Sequence, residues 1–280
     1  MSFVRVVTDS ASDLPAELVD RHGIEIVPLT IRFGEEEFAD GADLTPADFW
    51  ARTARSPTLP QTAAPSPGAF EEAFRRAGAD GAAGVVCVTL SGALSGTLEA
   101  AQLAARAVEA TIPVRVIDSR SVSMGQGLMA VACAEAAAAG KDLDDVAGVA
   151  LDLVDRTRVY AALDTLDNLI KGGRVGRARG LIGSLLSIKP VIAVTGGEVA
   201  ELARPRTRSR SLHSLVEMVE RWAPVENLAV IHGDAPDVES LLVMLAEVHP
   251  RDDIVVGQVG AVIGTHGGPR VLAVAFHAAP

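Results

Sequence analysis

Aromatic side chains are scarce in this 280-residue chain, at 4% against 49% hydrophobic residues overall. A core with so few of them must be built from Ala, Val, Leu and Ile, which suits strands covered by helices on both faces. Cysteine is also scarce: Cys87 and Cys133 are the only two, each inside an apolar run. No Cys/His cluster has zinc spacing, so no metal is expected. The two thiols read as buried and free, as in a reducing cytosol. Positive charge is in deficit, with a net charge of -11. That balance argues against a general nucleic-acid binder and against loose docking on an anionic membrane. No apolar stretch reaches the roughly 18 residues of a membrane helix without charges or helix breakers. The opening MSFVRVVTDSASD lacks the charged-then-apolar pattern of a signal peptide. The expectation is a cytoplasmic protein with no stable membrane insertion.

What is present is an alternation of strand and helix signals. Phe3–Val7 is a β-branched run, and Ser10, Ser12 and Asp13 are candidate helix caps with Pro15 in the first turn. Gly23 fits a helix C-terminal cap, and Ile24–Leu29 reads as a second strand. Strand, helix and strand at this spacing imply a right-handed parallel crossover. Residues 34–70 are acidic and then Pro/Thr/Ala-rich, and read as a long surface excursion. Strands at 85–90 and 114–117 then alternate with helices over 70–77, 96–108 and from 125 to 140. Asp142, Asp144 and Asp145 open a further helix, where carboxylates suit the positive end of the dipole. The second half repeats the theme with strands near 159–164, 189–194, 198–202, 227–231, 254–259 and 271–276, and helices near 209–222 and 236–248. The fold class is therefore α/β in two units. Residues 1–160 form an N-terminal unit with a mainly parallel sheet flanked by helices. Residues 161–280 form a smaller mixed α/β unit.

Several polar stretches sit where α/β cores are apolar, just after strands or at helix starts. Ligands of open α/β sheets collect outside the carboxyl ends of strands. Thr8–Asp13 includes Ser10 and is explained equally by helix capping. Thr62 stands in a Pro-rich loop. Ser95, Gly96 and Thr97 would offer hydroxyls and free N–H groups to a carboxylate or phosphate at a helix start. A nucleophilic Ser95 is disfavoured, because Gly92-Ala-Leu-Ser95-Gly96 departs from the G-x-S-x-G elbow. Asp118–Gly127 includes Ser123 and satisfies G-x-G-x-x-A from Gly125. The strand before it ends too early for a dinucleotide turn. Ile263–Pro269 reads as a glycine-rich turn carrying His266, where glycines allow close backbone approach. Two basic stretches interrupt the acidic chain: Lys171, Arg174, Arg177 and Arg179, and Arg204, Arg206, Arg208 and Arg210. Guanidinium forks suit carboxylate and phosphate, and a solvated face explains them as well.

Taken in order, these stretches resemble the DegV family of bacterial fatty-acid-binding proteins. The matching pieces are Thr8-Asp9-Ser10 with Ser12-Asp13-Leu14, Ile26-Val27-Pro28-Leu29, Leu94-Ser95-Gly96-Thr97, and Asp118-Ser119 with Ser123-Met124-Gly125. They continue through Leu166–Arg174, Lys189-Pro190, Arg206-Thr207-Arg208 and Ile263-Gly264-Thr265-His266. The resemblance implies a monomer with one long-chain fatty acid, such as hexadecanoate, held between the two units and no further cofactor. It also implies that the acid's carboxylate is presented to a separate ATP-dependent fatty acid kinase, which makes an acyl phosphate for phospholipid synthesis. Carried over, Thr62, Ser95, His266 and Arg206 hold the carboxylate. Ser10, Gly96, Thr97 and Ser123 support or line the site, and Lys171, Arg174 and Arg177 meet the partner or a phosphate. One departure stands out. The family usually reads Thr-Ser-Gln-Pro-Ser where this chain has Thr62-Ala63-Ala64-Pro65-Ser66. On this reading the protein is a non-catalytic carrier. Lipid storage or sensing without a kinase is the alternative. A phosphotransferase or esterase is a weaker one, since neither a P-loop nor a triad spacing is present.

Overall fold

The computed structural model describes residues 3–178 and 188–280. The first sheet is parallel throughout. It contains β1 (Phe3–Asp9), β2 (Glu25–Val27), β6 (Ala82–Thr89) and β7 (Val114–Asp118) in the order β2-β1-β6-β7. Successive strand side chains point to opposite faces, and here both faces are covered. Val7, Val85 and Cys87 pack on α3 (Pro67–Ala79) and α4 (Thr97–Val108). Val6, Val86, Val88 and Ile117 pack on α5 (Met124–Ala138) and α6 (Leu143–Arg156), together with Cys133. The two cysteines are free and lie in these two separate clusters. Small residues on the helices (Ala73, Ala77, Ala101, Ala104, Ala130, Ala150) let the layers approach closely, which is how a core poor in aromatics is filled. Between β1 and β2 a 3-10 turn (Ser10–Ser12) leads into α1 (Ala16–His22), which Gly23 ends in the left-handed conformation.

The second sheet has six strands and mixed direction. Its order is β10 (Glu198–Ala203), β9 (Val191–Thr195), β8 (Thr157–Ala162), β13 (Leu272–Ala278), β11 (Val225–His232) and β12 (Val255–Gln258). Only β11 and β12 run parallel; the other pairs are antiparallel. The expected division at residue 160 falls inside β8, all of which pairs within this sheet. α8 (Arg208–Trp222) and α9 (Val238–Leu245) cover one face. The other face, with Val159, Ala161, Ile192 and Ala273, turns towards Met124 and Leu128 of the first unit.

Two expectations are corrected. Residues 34–70 are not a bare excursion over the surface. β3 (Thr30–Phe33), β4 (Glu36–Ala39) and β5 (Gln61–Ala63) form an antiparallel sheet, and α2 (Pro46–Thr53) packs beside it. Ile31, Leu44 and Phe49 are buried there, with Phe33, Phe38 and Trp50 around them, so four of the ten aromatics collect in this insertion. Gly34, at φ 63°, supplies the tight turn between β3 and β4. The glycine-rich stretch at 263–269 is not a turn either. It is mostly α10 (Ala261–Gly267), a helix packed on that same insertion and on α7 (Asp167–Lys171). Burial of Ala261, Val262 and Thr265 outweighs the low helix propensity of Gly264 and Gly267.

Candidate functional site

A slot runs between the two sheets. Its walls come from alternate residues of β8 and its extension (Val159, Ala161, Leu163), of β9 (Ile192, Val194) and of β13 with the residue before it (Val271, Ala273). Leu29, Leu90, Leu94 and Val122 close it from the first unit, and Leu169, Val262 and Ile263 from the short helices. It encloses about 1040 Å³ of atom-free space including its mouth. That is a narrow passage with aliphatic walls. The period-2 alternation of β8 explains it: Tyr160 and Ala162 face the α8–α9 core while Val159 and Ala161 face the slot.

Polar groups gather at one end. Thr62 on β5 and His266 in the last turn of α10 meet there, with Thr62 Oγ1 and His266 Nε2 3.2 Å apart. Ser95 lies just before α4, and its hydroxyl is 2.9 Å from that of Thr97. It also accepts the Thr97 N–H at 3.3 Å. Gly96 lines the slot, and a side chain there would meet nothing within 4 Å. Thr97 is buried and buttresses Ser95 from behind. Ser123 contributes to the wall, and its hydroxyl donates to Asp13 at 2.5 Å. Arg174, expected to face a partner or phosphate, is a lining residue of the slot. Its Nε donates to the Leu94 carbonyl at 3.2 Å and its Nη1 to that of Gly172 at 2.8 Å. The same Arg174, with Ser95 and Gly96, also lines a shallow groove on the outside, so this end opens to the surface.

Burial, and then the Arg174 guanidinium, push His266 down to about 4. The imidazole is neutral at pH 7, and its Nδ1 is buried without a partner. That nitrogen rests against Gly172, where an added Cβ would come within 2.3 Å of it.

Four expected residues do not join this end. Arg206 is exposed in the bend between β10 and α8 and is absent from the slot lining. A long cation with no acid paired to it among the described residues is better solvated in water than buried. Ser10 accepts the Leu29 N–H at 3.0 Å and lines a separate, wider cleft with Asp13 and Asp40. Lys171 is exposed. Arg177 is exposed and paired with Glu198 at 2.8 Å, and Arg179 lies outside the described residues. In the second basic stretch, Arg204 pairs with Glu201 and Arg208 with Asp237, while Arg210 is exposed. The substituted pair resolves into two cases: Ala63 faces outward, whereas Ala64 lines the slot beside Thr62. Residues that the sequence reading did not single out include Gly172, which makes room for His266, and the small wall residues Ala161 and Ala273. The alternation in VYAAL was the available signal for Ala161.

A sequence profile of the DegV family, described as "uncharacterised protein, DegV family", matches residues 3–279. The chain belongs to the DegV family. A DegV domain-containing protein of Streptomyces coelicolor is 40% identical over 277 residues, covering 97% of each chain. Among solved structures, a DegV family protein from Thermus thermophilus, reported for its fatty acid binding, superposes with a TM-score of 0.91 at 30% identity. It covers 99% of this chain and 100% of its own. DegV from Bacillus subtilis, reported as a fatty acid binding protein, gives 0.88 at 27% identity with both chains fully covered. The α/β architecture, with its parallel sheet, mixed sheet and small antiparallel insertion, is thus that of DegV structures. No described helix is long and apolar enough to cross a membrane, and no cluster of metal-binding side chains occurs among the described residues.

Proposed function

We propose that this DegV family protein binds one long-chain fatty acid, with the acyl chain in the aliphatic slot and the carboxylate at the Thr62–Ser95–His266 end. The observation that carries this reading is the polarity of the slot: hydrocarbon walls along its length, with hydroxyls, an imidazole and one guanidinium at a single end. Each buried methylene contributes about 0.8 kcal/mol, so a sixteen-carbon chain offers on the order of 10 kcal/mol before ordering costs. A carboxylate needs partners when it leaves water. Ser95 and Thr62 can donate hydroxyl hydrogens to it, and Arg174 supplies opposite charge. A bound carboxylate also favours the protonated imidazole, so binding should draw His266 up from about 4. The fatty-acid-binding reports for the Thermus and Bacillus proteins support the same ligand class.

The finer part of the proposal is a carrier role. The polar end opens onto a surface groove through Ser95, Gly96 and Arg174, where a separate ATP-dependent kinase can reach the carboxylate. Exposed Lys171 stands near this end in sequence and is a docking candidate; charge reversal there should slow kinase coupling and salt should screen it.

Mass spectrometry under native and then denaturing conditions tests the ligand. One fatty acid that leaves on denaturation supports the binding reading. An empty protein that also refuses added fatty acids sinks it. Acyl phosphate formed only when kinase and ATP are added supports the carrier role. Retention of fatty acid with no such product would leave lipid storage or sensing as the function.

A further inference from the structure

His266 stands at the end of a helix whose beginning is held from outside. Helix starts leave backbone N–H groups without internal partners. At α10 two aspartates of the first unit take them. The Gly260 N–H donates to Asp13 Oδ1 at 2.9 Å, and the Ala261 N–H donates to Asp40 Oδ1 at 3.3 Å. Asp13 ends the 3-10 turn after β1, and Asp40 follows β4. The helix spans Ala261–Gly267, about 10 Å at ~1.5 Å per residue, and its last turn carries the imidazole that meets Thr62.

Asp13 also reaches the slot itself. Its other oxygen accepts the hydroxyl of Ser123, a wall residue, at 2.5 Å. Asp13 and Ser123 both adopt positive φ, 52° and 53°, a region that side-chain-bearing residues enter only when their surroundings demand it. Asp13 is 8% exposed. Burial, with Asp40 and Asp9 nearby, pushes it up to about 8. Acids this deep are costly for folding, and a serine or asparagine would cap a helix as well. The one carboxyl group joins the slot wall, the first unit and the helix bearing His266.

We propose that Asp13, with Asp40 beside it, is a positioning residue for the head-group end: it anchors the start of α10 to the slot wall and thereby sets where His266 meets Thr62. The functional consequence rests on the fatty-acid reading of the slot; the geometric claim does not.

The test uses the full chain with Asp13→Ala, Asp13→Asn and a control of similar stability loss, Val146→Ala, in the core between the first sheet and α6. The imidazole titration of His266 is followed by NMR, and hexadecanoate dissociation by stopped flow. The charged side chain facing His266 is Arg174; Thr62 and Gly172 bring no charge. Asp13→Ala should raise the proton affinity of His266 about tenfold, which is one pKa unit, and speed hexadecanoate release about tenfold. Asp13→Asn, whose amide still accepts from Gly260 and bonds Ser123, should restore both to within about twofold. Should Asp13→Ala not fold, Asp40→Ala is expected to shift His266 in the same direction by less. An unshifted His266 in Asp13→Ala, or in Asp40→Ala where that stands in for it, overturns the proposal, as does an equal shift in Val146→Ala. If wild-type protein binds no hexadecanoate, the fatty-acid reading fails while the titration still decides the positioning claim.

Discussion

The slot and the wider cleft both lie between the units of this protein, and they differ in what their polar groups are bonded to. The slot is aliphatic along its walls, and its polar end holds groups with spare capacity: the Thr62 and Ser95 hydroxyls, the unpartnered Nδ1 of His266 and the Arg174 guanidinium. The wider cleft lined by Ser10, Asp13, Asp40 and Gly260 contains more charge, yet those groups are already engaged with backbone N–H groups. Unspent hydrogen-bonding capacity beside an apolar space marks a place for an amphiphile. Satisfied carboxylates mark a joint between the units.

The comparison breaks most decisively if the slot can be filled without harm. Ala273→Phe places a ring on the wall of the slot, in the space Ala273 now lines. Fatty-acid retention should fall by about a hundredfold or more, since several methylenes lose their place. The melting temperature of ligand-free protein should change little. Unchanged retention, read by lipid extraction and mass spectrometry, would move the ligand elsewhere.

The next effect concerns His266. Gly172→Ala puts a methyl within 2.3 Å of Nδ1, so the ring must swing away from Thr62. Affinity for hexadecanoate should weaken about tenfold, the scale of one lost hydrogen bond to a charged group. Calorimetric titration checks this.

The joint is sharpened by pH. Burial raises Asp9 to about 7, Asp13 to about 8 and Asp40 to about 6. Their folded forms therefore hold protons that the unfolded chain has released above its ordinary carboxyl range. Stability from these groups is fully present below about 3.8, the unfolded value, and is lost as pH rises through 6 to 8. His266 and His277, each pushed down to about 4, act the other way, and their contribution is lost as pH falls from the ordinary histidine range towards 4. Between pH 6.5 and 8.5 the aspartates dominate, so the melting temperature should drop by a few degrees, and Asp13→Asn should flatten that slope. A wild-type curve that rises over this range would contradict the assignment.

The smallest effect is expected at Arg206. Exposed and outside the slot, it should tolerate Ala with retention within about twofold, as surface substitutions usually do. A tenfold loss would return it to the site.

Much of this fold was legible because β-branched runs and Ala-rich helices alternate in order, and because Asp142 and Gly23 punctuate helices where capping chemistry puts them. The insertion was harder to read. Its hairpin strands are four residues each, and acidic side chains on the exposed face hide the alternation of Ile31, Phe33 and Phe38. α10 was obscured by its glycines, of which Gly264 is held in the helix by close packing against Phe49 and Trp50. Ser95 and Thr62, both of which line the slot, were named through the family resemblance. The resemblance put Arg206 at the carboxylate and Arg174 at a partner, whereas it is Arg174 that lines the slot, because its loop folds back over Leu94, which no local pattern shows. Asp13 reads locally as a capping residue, and its contacts with Ser123 and Gly260 arise only from tertiary packing.

The central claim is the orientation of a fatty acid in the slot, and hexadecanoate labelled with ¹³C tests it most directly. Bound to the protein, its terminal methyl and mid-chain methylenes should show nuclear Overhauser contacts to the Ala161 and Ala273 methyls. Its carboxyl resonance should respond to Arg174→Met and to titration of His266. Contacts instead to Ala42 and Val256 of the wider cleft, or a carboxyl signal indifferent to both changes, would contradict the account.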